Sequence, residues 1–227
     1  MKTTFARQII DFYDGLQIEA KLPKDISVLH PQVNKAVKSV IRDFFSTYYN
    51  DNQPRALLFG INPGRFGAGV TGINFTAPRQ LSANCGITHP FGNQTELSAE
   101  FIYDMIEALG GAATFYKRYF LTSVCPLGFT RANKNLNYYD DAGLLKKITP
   151  FITECIQTQV AWKVYRKKCI CIGGAKNYAF FSSLNEQYQW FEEIIPLPHP
   201  RFIMQYRRRE KAQYIEQYID ALDRIYG

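Results

Sequence analysis

The chain has 227 residues, 46% of them hydrophobic, which is enough apolar side chain to bury one substantial core and predicts a single domain over residues 1–227. A net charge of +7 with a pI near 9.1 points to an acidic partner, most often nucleic acid. No run approaches the ~20 apolar residues of a membrane span, and the five cysteines, odd in number and without C-x-x-C spacing, exclude the common zinc, iron–sulfur and disulfide-framework patterns. They read as small buried hydrophobes. With no signal-peptide pattern at the start, a reducing cytoplasm is the expected setting.

In chain order, residues 4–15 and 32–49 are predicted helices; in the second, Val33, Val37, Val40, Ile41, Phe44 and Phe45 recur at near-helical spacing. Residues 56–61 read as the first buried strand. An irregular stretch then runs to about residue 95, a length that marks a functional loop. A helix is predicted from Ser98 to Leu109, ended by Gly110-Gly111, and a strand over 119–124, stopped by Cys125-Pro126. Residues 140–164 predict a long helix with a break near Pro150, and 168–172 a strand whose Gly173-Gly174 leads into a short helix ending at Ser183. The last strand is 193–197, with Pro196 marking a sheet edge, and one helix from Ile203 to Ile225 closes the chain. Apolar strands alternating with helices predict an α/β fold: a three-layer α/β/α sandwich around a mainly parallel four-stranded sheet.

The loop after the first strand carries Gly60, Gly64, Gly67, Gly69 and Gly72, so its backbone N–H groups can lie against a ligand. Asn62 sits where the strand should end, the edge at which open α/β sheets bind ligands. An amide there can hold a water or a base edge, and no strong acid, base or nucleophile stands beside it in the loop. Gly67 to Gly72 spells G-x-G-x-x-G, but the dinucleotide fingerprint needs a strand directly before and a helix directly after it. Here Asn62-Pro63-Gly64 precedes, and residues 73–78 are a poor helix start; no Gly-Lys-Ser/Thr occurs either. Both nucleotide-binding readings are rejected.

His30, His89 and His199 each precede a proline, but only His199 directly follows a strand, which puts it on the same sheet edge as Asn62. Behind it come Arg201 and then Arg207, Arg208, Arg209 and Lys211, read as the first turns of the last helix. Cations there oppose the helix macrodipole, and a bound phosphate reverses that sign. The alternative is a solvated charged face. Between histidine and arginines lie Phe202, Ile203 and Met204, which are either core or a wedge pushed into a base stack.

Gly60 to Gly67, continuing through Thr71-Gly72 to an aromatic at Phe75, resembles the first motif of the uracil-DNA glycosylase superfamily, and in particular its single-strand-selective monofunctional branch. His199-Pro200 resembles the opening of the second motif, and Cys125-Pro126-Leu127 a third segment; the likeness covers about residues 55 to 210. It implies a monomeric enzyme without cofactor or metal. Such an enzyme flips a deaminated base out of DNA and hydrolyses its bond to the sugar, beginning base excision repair in the bacterial nucleoid or eukaryotic nucleus. Asn62 would position the attacking water and His199 would hydrogen-bond the oxygen where charge gathers. Ile61, Gly64, Phe75 and Ser123 would line the base site, with Phe75 stacking on the base. Arg65, Arg201, Phe202, Met204, Arg207 and Arg208 would meet the DNA.

Three departures bear on that reading. Ser123 stands where such enzymes place an asparagine to read the uracil edge, which implies a looser pocket that also admits bases such as xanthine. Arg201 follows His199-Pro200 where Ser-Pro is common, which leaves the intercalating residue open. Arg65 enters the glycine loop where a neutral residue is usual. Two further readings stay open at this level: a protein that captures damaged or abasic DNA without cutting it, and a hydrolase of free nucleosides or nucleotides, which the long cationic face disfavours.

Overall fold

A computed structural model describes residues 3–226. Its elements are α1 (Phe5–Asp14), β1 (Ile26–Leu29), α2 (Lys35–Tyr48), β2 (Ala56–Gly60), α3 (Ala68–Thr71), α4 (Pro78–Ala83), α5 (Leu97–Ala108), α6 (Ala112–Arg118), β3 (Tyr119–Ser123), β4 (Gly128–Arg131), β5 (Lys134–Leu136), α7 (Ala142–Val160), β6 (Lys168–Ile172), α8 (Gly174–Tyr188), β7 (Glu193–Leu197), α9 (Pro200–Tyr206) and α10 (Lys211–Asp223). The four apolar runs pair in parallel in the order β3-β2-β6-β7. β2 and β3 are buried throughout, as strands covered on both faces must be. Pro196 lies on the edge strand β7, where the donor it lacks is not needed.

Helices cover both faces. On one, Phe120 of β3 packs against Phe5 of α1 and Phe45 of α2, and Phe59 of β2 meets Phe181 of α8. There Thr122 also bonds Gln159 of α7 at 2.6 Å. On the other face, Tyr119 packs against Phe115 of α6 and its hydroxyl donates to the Leu222 carbonyl of α10. All five cysteines are free and buried inside these layers.

The structure departs from the sequence expectations in several places. α6 has no counterpart among the predicted helices, and α8 continues past the expected end at Ser183 to Tyr188. The stretch after β2 contains α3 and α4, two helices too short for periodicity to reveal. β1, β4 and β5 form a second, antiparallel sheet of short strands, none longer than four residues. α7 runs unbroken through Pro150, because Leu144, Ile148, Ile152 and Ile156 bury one continuous stripe on either side of it. The last helix is two: α9 ends at Tyr206 and α10 begins at Lys211, so Arg207 to Arg209 lie in the connection rather than in a helix's first turn. Of that cationic run only Lys211 stands in the first turn of α10, and the phosphate expected at that helix start is withdrawn.

Candidate active site

β2 and β3 end level with each other, Gly60 opposite Ser123, and β6 lies on the other side of β2. The chain thus reverses its direction of winding between β3 and β6, and the crevice at the carboxyl ends is the place such sheets offer a ligand. Gly60 has to be glycine: a Cβ there would lie 2.8 Å from the ring of Phe75. Phe75 lies against the strand end with its backbone at φ +54°, a left-handed conformation that side chains rarely adopt outside functional loops.

Asn62 follows two residues after β2. Its Nδ2 donates to the carbonyls of Pro63 and Leu136, both at 3.3 Å, and its Oδ1 accepts from the Tyr138 N–H at 3.0 Å. Both amide hydrogens are thereby engaged, and one oxygen lone pair is left. The amide can orient a water through that lone pair but cannot remove a proton from it. Tyr138 is itself fixed, its hydroxyl donating to Asn177 of α8 at 2.7 Å, while Asn177 donates to the Gly60 carbonyl.

His199 follows two residues after β7. Its Nδ1 accepts from the Arg201 N–H at 3.1 Å, which caps α9 and leaves the proton of the neutral ring on Nε2. Burial, reinforced by the Arg201 charge, lowers its pKa to about 4. At neutral pH His199 is an uncharged ring with an N–H donor. Its ring lies 6.1 Å, centroid to centroid, from that of Phe75.

The Ser123 hydroxyl does not stand alone. It donates to Oδ1 of Asn74 at 3.2 Å, and Asn74 Nδ2 donates to the Tyr13 hydroxyl at 3.1 Å. Asn74 is buried yet lines the cavity, with one N–H and one oxygen lone pair of its amide free. Sequence reasoning missed it, although it immediately precedes Phe75. The asparagine absent from β3 is thus present on a neighbouring loop.

These groups surround one cavity of about 530 Å³. Asn62, His199, Ile61, Gly64, Phe75, Ser123, Arg65 and Arg201 all line it, so the structure brings together both expected chemical residues, the whole expected base site and two of the arginines. The β4–β5 hairpin supplies a wall that the sequence reading did not foresee: Asn133, Lys134 and Asn135, with Asn137 beyond them. Ala132 and Asn133 both have positive φ, as a tight two-residue hairpin turn requires. Asn135 accepts from the Arg65 N–H and Asn133 from its guanidinium, pinning the hairpin over the glycine loop.

The remaining expected DNA contacts lie outside the cavity. Met204 is only 4% exposed and belongs to the core with Ile203, so its expected contact with DNA is withdrawn. Phe202 is 45% exposed and packs on Tyr206, which is 66% exposed. Arg207 and Arg208 are exposed and lie beside Glu210 and Glu100, respectively.

A parallel α/β sheet that gathers an amide, a neutral imidazole and an aromatic ring around one cavity is the setting in which the comparisons with known proteins fall. The family model for the uracil DNA glycosylase superfamily matches residues 46–223, and the chain belongs to that superfamily. Among solved structures, the crystal structure of wild-type SMUG2 from Pedobacter heparinus matches with a TM-score of 0.95 at 42% sequence identity, over 99% of this chain and 99% of that one. No curated protein matches.

Proposed function

We propose that the protein is a monofunctional DNA glycosylase that excises uracil, and other deaminated bases such as xanthine, from DNA and acts as a monomer. The observation that carries this reading is that Asn62 and His199, 137 positions apart in sequence, line one cavity together with Phe75. An extruded nucleotide places its base against Phe75 and the loop backbone of Ile61 and Gly64. As the bond from C1′ to the base nitrogen lengthens, its electron pair moves into the base and charge gathers on a carbonyl oxygen. The His199 Nε2–H is a neutral donor for that charge, and the water held by Asn62 adds to the oxocarbenium sugar. Arg65 and Arg201 meet the phosphates on either side, and the exposed aromatic pair of α9, Phe202 and Tyr206, fills the gap left in the stack.

The test is base release from oligonucleotides carrying uracil, hypoxanthine or xanthine. Free base and an abasic, unbroken strand are expected. Lys134 stands on the exposed hairpin, so borohydride trapping is the sensitive check for an amine nucleophile, and no covalent adduct is expected. Tight binding without release of any base would leave a non-catalytic binder of damaged DNA instead.

Asn74 takes the part of base reader, offering an N–H to a carbonyl and an oxygen to the adjacent ring N–H of uracil. Asn74→Ala is expected to slow single-turnover uracil release about 10- to 100-fold, equivalent to roughly 1.4–2.7 kcal/mol for hydrogen bonds whose partners are left unsatisfied. An unchanged rate would return base reading to Ser123 alone.

A further inference from the structure

Glu96 is the single acidic side chain among the described residues that line the cavity, and the steps above give it no part. It sits at the start of α5, yet its carboxylate does not cap that helix. It turns instead to the glycine loop: a Cβ on Gly67 would lie 2.1 Å from Glu96 Oε1, so Gly67 is bare where the carboxyl group rests. Among the described residues no donor bonds it. Arg201 is near enough to act on its charge but forms no ion pair with it, and Arg208 lies 3.7 Å from Glu100, one turn along the helix.

Hydrolysis requires a proton acceptor that the other two groups are not. A water that adds to C1′ has to lose a proton; Asn62 cannot take it, and His199 already carries its proton on Nε2 with Nδ1 occupied. We propose that the Glu96 carboxylate accepts the proton of the attacking water, directly or through one further water. The C1′–N bond breaks with its electron pair going to the base, and the new C1′–O bond forms from the water oxygen. The proton passes to the Glu96 carboxylate, which returns it to the departing base anion or to solvent. This assignment rests on the glycosylase reading.

The electrostatics agree with the geometry. Burial pushes the Glu96 carboxyl group up to about 7, against the pull of Arg201, and an acid–base group works best when its pKa lies near the working pH. The charged and titratable groups that face the same space are Arg201 and His199 from beyond β7, Arg65 of the glycine loop and Lys134 of the hairpin. Since the His199 pKa lies near 4, Glu96 is the group that titrates through neutrality.

The experiment is single-turnover release of uracil from a single-stranded oligonucleotide between about pH 5 and pH 9. Wild-type rates should rise about tenfold per pH unit below neutrality and level off above it. Glu96→Gln, nearly isosteric and unable to accept a proton, should lower the plateau about 100-fold or more and flatten the profile. Its affinity for an oligonucleotide with an abasic-site analogue should hold or improve, because a negative charge has been removed. Glu96→Asp should keep the pH dependence at a reduced rate. A wild-type rate that is level or falling through neutrality, or Glu96→Gln as fast as wild type, overturns the assignment alone. A wild-type protein that releases no base from any of the three lesions overturns the glycosylase reading beneath it.

Discussion

Asn62→Ala is expected to reduce single-turnover uracil release by about 100- to 1,000-fold while affinity for DNA changes little. The reason lies in how the amide is held. Three backbone bonds, to Pro63, Leu136 and Tyr138, fix its plane and leave a single lone pair for water. That lone pair contributes no basicity, so its value is positional: it holds one water where C1′ will become electrophilic, and misplacing a reactant by about an ångström costs a factor on the order of 100. The substitution also strips partners from the Leu136 carbonyl and the Tyr138 N–H, a stability cost of about 1–3 kcal/mol. Melting temperature must therefore be followed alongside rate, and release measured well below the transition. A folded Asn62→Ala protein that cleaves at the wild-type rate would remove Asn62 from the chemistry.

The sheet was legible because its strands are the runs that burial dictates. Leu57, Leu58 and Phe59 have no polar neighbour to place outward, and Pro196 can sit only at an edge. Asn62 and His199 were legible for the same reason, each standing just beyond the end of such a run. The second sheet was not: β4 and β5 form a local hairpin of strands too short to show a period, and β1 pairs with β4 from about a hundred residues away. No local period records that pairing, yet it sets the hairpin whose asparagines pin Arg65. The division of the last helix was hidden by composition: helix-forming residues run through Arg207 to Glu210, and the break shows only in the backbone. Asn74 and Glu96 escaped for a different reason. Each is an ordinary polar residue in a loop or at a helix start, and its importance comes from neighbours far away in sequence, Ser123 and Tyr13 for one and Gly67 for the other.

His199→Ala should cost about 100- to 1,000-fold in the rate of base release, or roughly 2.7–4 kcal/mol, the usual loss when one donor aimed at developing charge is removed from a dry site. The more searching measurement is how that loss varies with pH. With burial holding its pKa near 4, the ring is neutral on both sides of pH 7 and donates through Nε2 in either case. The ratio of wild-type to His199→Ala rates should therefore be the same at about pH 6 and about pH 8, on either side of the ordinary histidine pKa of about 6.5. Titration of Glu96 affects both proteins alike and cancels in the ratio. A charged imidazole would behave otherwise, because its advantage would fade as the proton left with rising pH. A ratio that shrinks several-fold between the two conditions would show that the donor is an imidazolium, and the neutral-ring account of leaving-group stabilisation would have to be abandoned.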